Sequence, residues 1–148
     1  MTTNEKLLPE DYGTFGYLDT RQIARREYQL LALFHFDDKL KFGRIEVQAG
    51  FITDYASIDL LYKCFLWLFY AFLVGYGDNA ATVHDWIYRG NGFRREDGRM
   101  YYPSRKECDD IFYRALKAEG VDEVRAKMFY WGVRLFGESS YVRLQATA

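Results

Sequence analysis

The spacing of apolar and polar residues changes period several times along the chain, and each change marks an element. Residues 1–20 are polar and turn-rich, with Pro9, Gly13 and Gly16 interrupted by Tyr12, Phe15 and Tyr17. This stretch reads as an N-terminal arm, which either wraps the domain of residues 21–148 or docks on a partner. From Glu27 to Phe36 the run Glu-Tyr-Gln-Leu-Leu-Ala-Leu-Phe-His-Phe predicts one mostly buried strand. Asp37-Asp38-Lys39 then predicts a turn. Arg44-Ile45-Glu46-Val47-Gln48 alternates between faces, as a half-buried strand does. A small antiparallel sheet follows from the two strands. Gly50 permits a bend after the second of them. In the next turn, Asp54 and Ser57 either cap local backbone groups, or the turn carries Asp54 inward.

Residues 60–74 are almost wholly apolar, bounded by Asp59 and Lys63 on one side and Gly75-Tyr76-Gly77-Asp78 on the other. A membrane-spanning helix needs about 20 such residues, so no transmembrane span is expected. The run predicts a central buried helix, or one with an exposed apolar face for self-association or a lipid interface.

Three further helices are signalled. Ala80, Ala81, Val83, Ile87 and Tyr88 recur at helical spacing after a capping residue at Asp78 or Asn79, and Gly90-Asn91-Gly92 ends that helix. A polar, basic loop with Arg94, Arg95 and Arg99 runs from Phe93 to Pro103. Ser104 and Glu107 form a capping box ahead of the stripe Cys108, Ile111, Phe112, Ala115 and Leu116, which Gly120 stops. Asp122 caps a last helix carrying Val124, Met128, Trp131, Val133, Leu135 and Phe136, and Gly137 ends it. The predicted fold is α+β: a small antiparallel sheet packed on three to four helices.

Composition narrows the function. The 148 residues include 13 Tyr, 12 Phe and 3 Trp but only 2 Pro, which suits one globular domain. A formal charge of −1 gives no reason to expect a nucleic-acid partner. The cysteines, Cys64 and Cys108, sit in apolar helical contexts and read as buried free thiols, with no zinc-binding spacing. Glu5 and Lys6, without a sustained apolar run, give no secretory signal.

The candidate chemistry lies where ionisable residues interrupt an apolar helical pattern. His84 and Tyr88 are four apart and share a helix face, whereas Asp85 points about 100° away. Charged or polar groups carried into a core need partners. Asp109, on the inner side of the next helix, is the candidate carboxylate to orient His84 as a general base, and Tyr88 can donate to the same carboxylate. Asp85, with Asp54 or backbone carbonyls, can hold a divalent cation such as calcium, which would polarise a carbonyl or phosphoryl oxygen. The same residues equally make a polar network that only ties two helices to the turn in the 50s. His35 is either a ligand or a strand histidine satisfied by a neighbouring hydrogen bond.

Two resemblances bear on these residues. Gly50-Phe51-x-Thr53-Asp54-x-Ala56-Ser57, His84-Asp85-x-x-Tyr88, Ser104-Arg105…Asp109-x-Ile111-Phe112 and Val133-Arg134-x-Phe136-Gly137 fall in that order. The pattern resembles a family of small proteins of unknown function encoded by tailed phages and prophages. It implies a phage source and no established activity; the protein is then expected in the host cytoplasm during infection, and a structural role would place it in the virion with other phage structural proteins as partners. Asp59 stands near where that family usually has a proline, and the long apolar run looks like an insertion. Locally, His84-Asp85-x-x-Tyr88 with Cys108-Asp109-x-x-Phe112 is similar to the catalytic helix pair of secreted phospholipases A2. There the His activates water, the adjacent Asp binds calcium and the later Asp orients the His. Carried over, these roles fall on His84, Asp85 and Asp109. The glycine-rich calcium loop and the disulfides of that family have no counterpart here. Two functions therefore stand side by side: a metal-assisted hydrolase of ester, lipid or envelope substrates, and a virion or tail-associated structural component.

Overall fold

The computed structural model describes residues 5–55, 76–138 and 141. Within them the fold is α+β, with eight strands and four helices. A short helix α1 (Pro9–Tyr12) leads into β1 (Gly13–Phe15). β1 pairs antiparallel with β4 (Phe34–Asp38), which pairs antiparallel with β5 (Gly43–Val47). The alternation seen in the sequence is what seats this sheet. Phe34 and Phe36 point inward opposite Val47 and Ile45, all fully buried, and Asp37 faces Arg44 on the outer side, bonded at 2.8 Å. Part of the N-terminal arm is thus a strand of the main sheet, and its Phe15 stacks on Phe36 at 4.8 Å.

A second sheet is formed by β2 (Thr20–Ala24), β3 (Glu27–Leu30) and β6 (Ile52–Thr53), in the order β2-β3-β6. The single strand expected from Glu27 to Phe36 is therefore two strands in two sheets. Leu30-Leu31-Ala32-Leu33-Phe34 is apolar throughout, so it has no alternation to fix a face. Leu31 and Leu33 are each 49% exposed where the chain passes between sheets. The break is held by backbone bonds from Leu30 N to Phe51 O and from Leu31 N to Asp19 O, both 2.9 Å.

Asp38 also departs from the turn expected of it. It is the last residue of β4, 1% exposed, and Arg114 grips it through Nε and Nη2 at 3.0 and 2.9 Å. A buried carboxylate needs such a partner. The basic loop after residue 92 contains a small hairpin, β7 (Phe93–Arg94) with β8 (Met100–Tyr101).

The remaining helices are α2 (Asp78–Tyr88), α3 (Arg105–Ala118) and α4 (Glu123–Phe136). The capping box of α3 forms as read: Ser104 Oγ accepts from Glu107 N at 3.2 Å, and Glu107 Oε1 accepts from Ser104 N at 3.0 Å. Asp122 Oδ2 caps α4 by accepting from Arg125 N at 3.2 Å. α2 differs. Its cap is Gly77 in the left-handed region, and neither Asp78 nor Asn79 caps it with a side chain. The orphan amide of Asn79 instead donates to Glu119 Oε1, at the far end of α3, at 2.8 Å. α3 lies between α2 and α4 and also backs the main sheet. Among the described residues no helix is long and apolar enough to cross a membrane. The run 60–74, Cys64 and Ser57 lie outside the described residues.

Candidate functional site

α2 is buried on nearly all sides, because small and apolar residues occupy most of its positions. Its second and third turns carry His84 and Tyr88 on one face, towards Asp109 on α3. His84 Nε2 lies 2.9 Å from Asp109 Oδ1, and the Tyr88 hydroxyl donates to the same oxygen at 2.7 Å. Arg134, in the last turn of α4, donates from Nη1 to Asp109 Oδ2 at 2.8 Å. Three helices therefore converge on one carboxylate. The His84 and Asp109 side chains are 1% and 0% exposed, and that of Arg134 is 26% exposed. The imidazole is held from its sides by Tyr88, with ring centroids 4.0 Å apart, and by Phe112 at 4.6 Å.

The protonation states follow from burial and pairing. Burial lowers the pKa of His84 by more than the Asp109 carboxylate raises it. Burial pushes Asp109 up, but bonds from His84, Tyr88 and Arg134 outweigh it and hold the group below the ordinary carboxylate range. The ion pair is thus Asp109 with Arg134, and His84 is neutral beside it. An ionised carboxylate only accepts, so Nε2 carries the proton and Nδ1 carries the lone pair. Tyr88 keeps its proton, since burial and the neighbouring carboxylate both push its pKa up.

Two residues set these three helix ends. Arg105 donates from Nη2 to the carbonyls of Val133 and Arg134 at 2.9 and 2.6 Å, which satisfies the open C-terminus of α4. Its charge also depresses the His84 pKa further. Gly137 lets the chain turn closely over Tyr88: a Cβ there would stand 2.5 Å from Val133 O and 2.9 Å from the Tyr88 hydroxyl.

The residues expected to hold a cation are arranged differently. Asp85 is 4% exposed and accepts from Thr53 Oγ1 at 2.6 Å. The turn carries Thr53 inward, and Asp54 faces out. The Asp54 side chain is 44% exposed and pairs with Arg89 at 3.2 Å. Arg89 also donates to the Ile52 carbonyl and lies over the Phe51 ring. Calcium takes six to eight oxygen ligands, and among the described residues no three His, Cys, Asp or Glu side chains are grouped to hold a metal. These donors alone do not complete a calcium shell. His35 sits on the outer face of β4, with Nε2 3.6 Å from Asp37, and belongs to no such group. Cys108 is a buried free thiol whose pKa burial raises well above the usual range.

Of the predicted site residues, His84, Tyr88 and Asp109 come together, Asp85 stands on the adjacent face of α2, and Asp54 stands apart. Arg134, Arg105 and Thr53 received no role from the sequence. The available signal was a cation one residue after buried Val133, in the last turn of a helix that ends at Gly137.

No curated protein and no solved structure matches the chain. A family model does match, over residues 28–133, a span that holds Asp54, Asp85, His84, Tyr88, Asp109 and Thr53. The chain that brings three helices onto Asp109 therefore belongs to the family described as Protein of unknown function (DUF1353).

Proposed function

We propose that the chain is a hydrolase of ester bonds in lipid or envelope substrates, with His84 as general base. One observation carries this reading: Asp109 holds the Nε2–H of His84 at 2.9 Å while Arg134 keeps that carboxylate ionised. The imidazole is thereby fixed in one orientation and one tautomer, which is what proton abstraction from water needs. In the reaction, which needs the surroundings of the buried imidazole to open and admit water and ester, Nδ1 takes a proton from water as its oxygen attacks the ester carbonyl carbon. The tetrahedral intermediate collapses with cleavage of the carbon–oxygen bond to the leaving group. The imidazolium then returns its proton to the departing alkoxide. Asp109 stabilises the transient imidazolium, Tyr88 fixes Asp109, and the similarity to the helix pair of phospholipases A2 supports the same assignment. The mechanism takes no step through a cation. The four motifs in order support a phage source, and with it the host cytoplasm during infection.

A second reading has its own support. His84 and Asp109 are 1% and 0% exposed, which suits a core polar network in a virion or tail-associated structural protein.

Titration of released acid at constant pH, with short-chain esters and phospholipid vesicles as substrates, separates the two. The hydrolase reading expects turnover by wild type and its loss in His84→Asn that still melts cooperatively. Absence of turnover with every ester by well-folded protein sinks it in favour of the structural reading. A thermal-shift series with Ca²⁺, Mg²⁺, Mn²⁺ and Zn²⁺ on wild type and Asp85→Asn tests the cation separately. A ligand that binds only the folded state raises Tm, and a rise that Asp85→Asn abolishes would place a metal at Asp85.

A further inference from the structure

The outer face of α4 carries a feature that the His84 centre does not use. Val124, Met128, Trp131 and Leu135 follow one another at spacings of four, three and four. That is the repeat of a helix-pairing seam, narrower than the stripe of a core-facing helix. The fully buried side of α4 is a different set, Ala126, Phe129, Gly132 and Val133, while Met128 is half-buried and touches both the core and the seam. Val124, Trp131 and Leu135 are 62%, 57% and 67% exposed, and Phe136 beside them is 45% exposed. Beside the seam lies a cleft of about 480 Å³, whose walls carry Tyr12, Tyr113 and Trp131 together with the charged Asp110, Arg114 and Lys127.

We infer that this face is a homodimer interface, in which α4 packs antiparallel on α4 of a second copy. The seam is self-complementary. A two-fold axis midway between Met128 and Trp131 sets Val124 against Leu135 of the second copy, and the reverse, so each apolar group finds a partner. The cleft takes the large side chains that stand beyond the seam.

Area agrees. The exposed parts of Val124, Trp131 and Leu135 leave on the order of 400 Å² on the seam, which is most of the apolar core of an interface taking about 800 Å² from each partner.

The charges flanking the seam favour a second copy over a membrane surface. Glu123 pairs with Lys117 at 3.0 Å and with Lys127 at 3.5 Å, Arg125 pairs with Asp122 at 2.6 Å, and Arg134 with Asp109 at 2.8 Å. A helix that binds anionic lipid presents a belt of basic residues. Here Arg125 and Arg134 are each paired within their own chain, and Lys127 shares Glu123 with Lys117 of α3, so α4 presents no such belt.

Sedimentation velocity of the full chain across a concentration series tests the inference, with Trp131→Glu, Leu135→Glu and the control Ile23→Glu, which changes an exposed apolar residue of β2. Wild type and Ile23→Glu should sediment at twice the chain mass of 17.5 kDa. Each α4 variant should dissociate at least tenfold more readily and still unfold in one cooperative transition by circular dichroism, at a lower Tm because the folded chain has lost its partner. Because Trp131 and Leu135 are exposed, a cooperative melt shows that lost dimer is not lost fold. Wild type that stays monomeric at every concentration overturns the inference. So does a dimer that survives both α4 variants, and so does monomeric protein that co-sediments with anionic vesicles through Trp131.

Discussion

Replacing Arg134 by Met tests the assignment of charge in the His84 centre. The substitution keeps most of the side-chain volume and removes the cation from Asp109 Oδ2. Breaking a buried ion pair by deleting one partner costs about 3–5 kcal/mol. Two features reduce that here. The Arg134 side chain is 26% exposed, so water can replace the guanidinium on that side. Asp109 also keeps its bonds from His84 and Tyr88. The expected loss is about 2–3 kcal/mol at pH 8, or roughly 5–10 °C in Tm for a domain of this size.

The pH dependence separates this account from simple loss of packing. In wild type His84 is neutral, with a pKa lowered by burial. Its unfolded form binds a proton near the ordinary value, so His84 favours the folded state above that value. Its contribution is lost as pH falls through about 6.5 towards the folded pKa. In Arg134→Met the carboxylate has lost its counter-charge, and a proton on His84 restores it. The folded pKa of His84 then rises, and the variant recovers stability on acidification where wild type loses it. Urea denaturation of both proteins at pH 8 and pH 5.5 measures the difference. Nitrogen chemical shifts of the imidazole report the tautomer directly, with Nε2 protonated and Nδ1 unprotonated in wild type. An imidazolium in wild type at pH 7 would refute the reasoning. Equal losses for the two proteins between pH 8 and pH 5.5 would refute it as well.

Three other substitutions probe the surroundings. Thr53→Val removes the hydroxyl donated to buried Asp85 at 2.6 Å and should cost about 1–3 kcal/mol. Asp54→Asn, at a half-exposed pair with Arg89, should change stability by less than about 1 kcal/mol; chemical denaturation that ranks them the other way contradicts the placement of these neighbours. Gly137→Ala, whose Cβ meets Val133 O and the Tyr88 hydroxyl, should destabilise by about 1–3 kcal/mol and shift the near-ultraviolet tyrosine signal; an unchanged melt would show that the close approach is slack. The Glu119 carboxyl is pushed up to about 7, mainly by burial. A raised folded pKa favours the folded state below the unfolded value and loses that contribution as pH rises through 7. Glu119→Gln keeps an acceptor for the Asn79 amide, so it should melt higher than wild type at pH 8 and close to it at pH 5; parallel melting curves across that range would exclude a neutral Glu119.

What the sequence disclosed and what it withheld divide along one physical line. A helix is a local object with a fixed period, so its face, cap and stop can be read within a dozen residues. Ser104 with Glu107, Asp122, and the inward faces that carry His84 with Tyr88 on α2 and Asp109 on α3 were legible for that reason. A strand's faces depend on its register with a distant partner, and a slip of one residue inverts them. β6 has only two residues, and its register against β3, with Thr53 opposite Tyr28, decides that Thr53 and not Asp54 turns inward. In the run Leu30–Phe34 no alternation exists to read, so the passage from one sheet to the other could not be placed. Caps and counter-charges supplied across helices are non-local in the same sense: Glu119 satisfies the start of α2 from the end of α3, and Arg134 reaches Asp109 from a third helix. Arg134 is the case that matters for function. The pattern of α2 and α3 alone gives a histidine beside a carboxylate, which is compatible with an imidazolium–carboxylate pair. Burial, with the charge of Arg105 adding to it, leaves His84 a neutral imidazole with its lone pair on Nδ1, and the guanidinium from α4 takes its place as the cation paired with Asp109. The same helix carries the exposed Val124–Leu135 seam on its opposite face, so a second copy packed there would brace the helix that supplies the counter-charge.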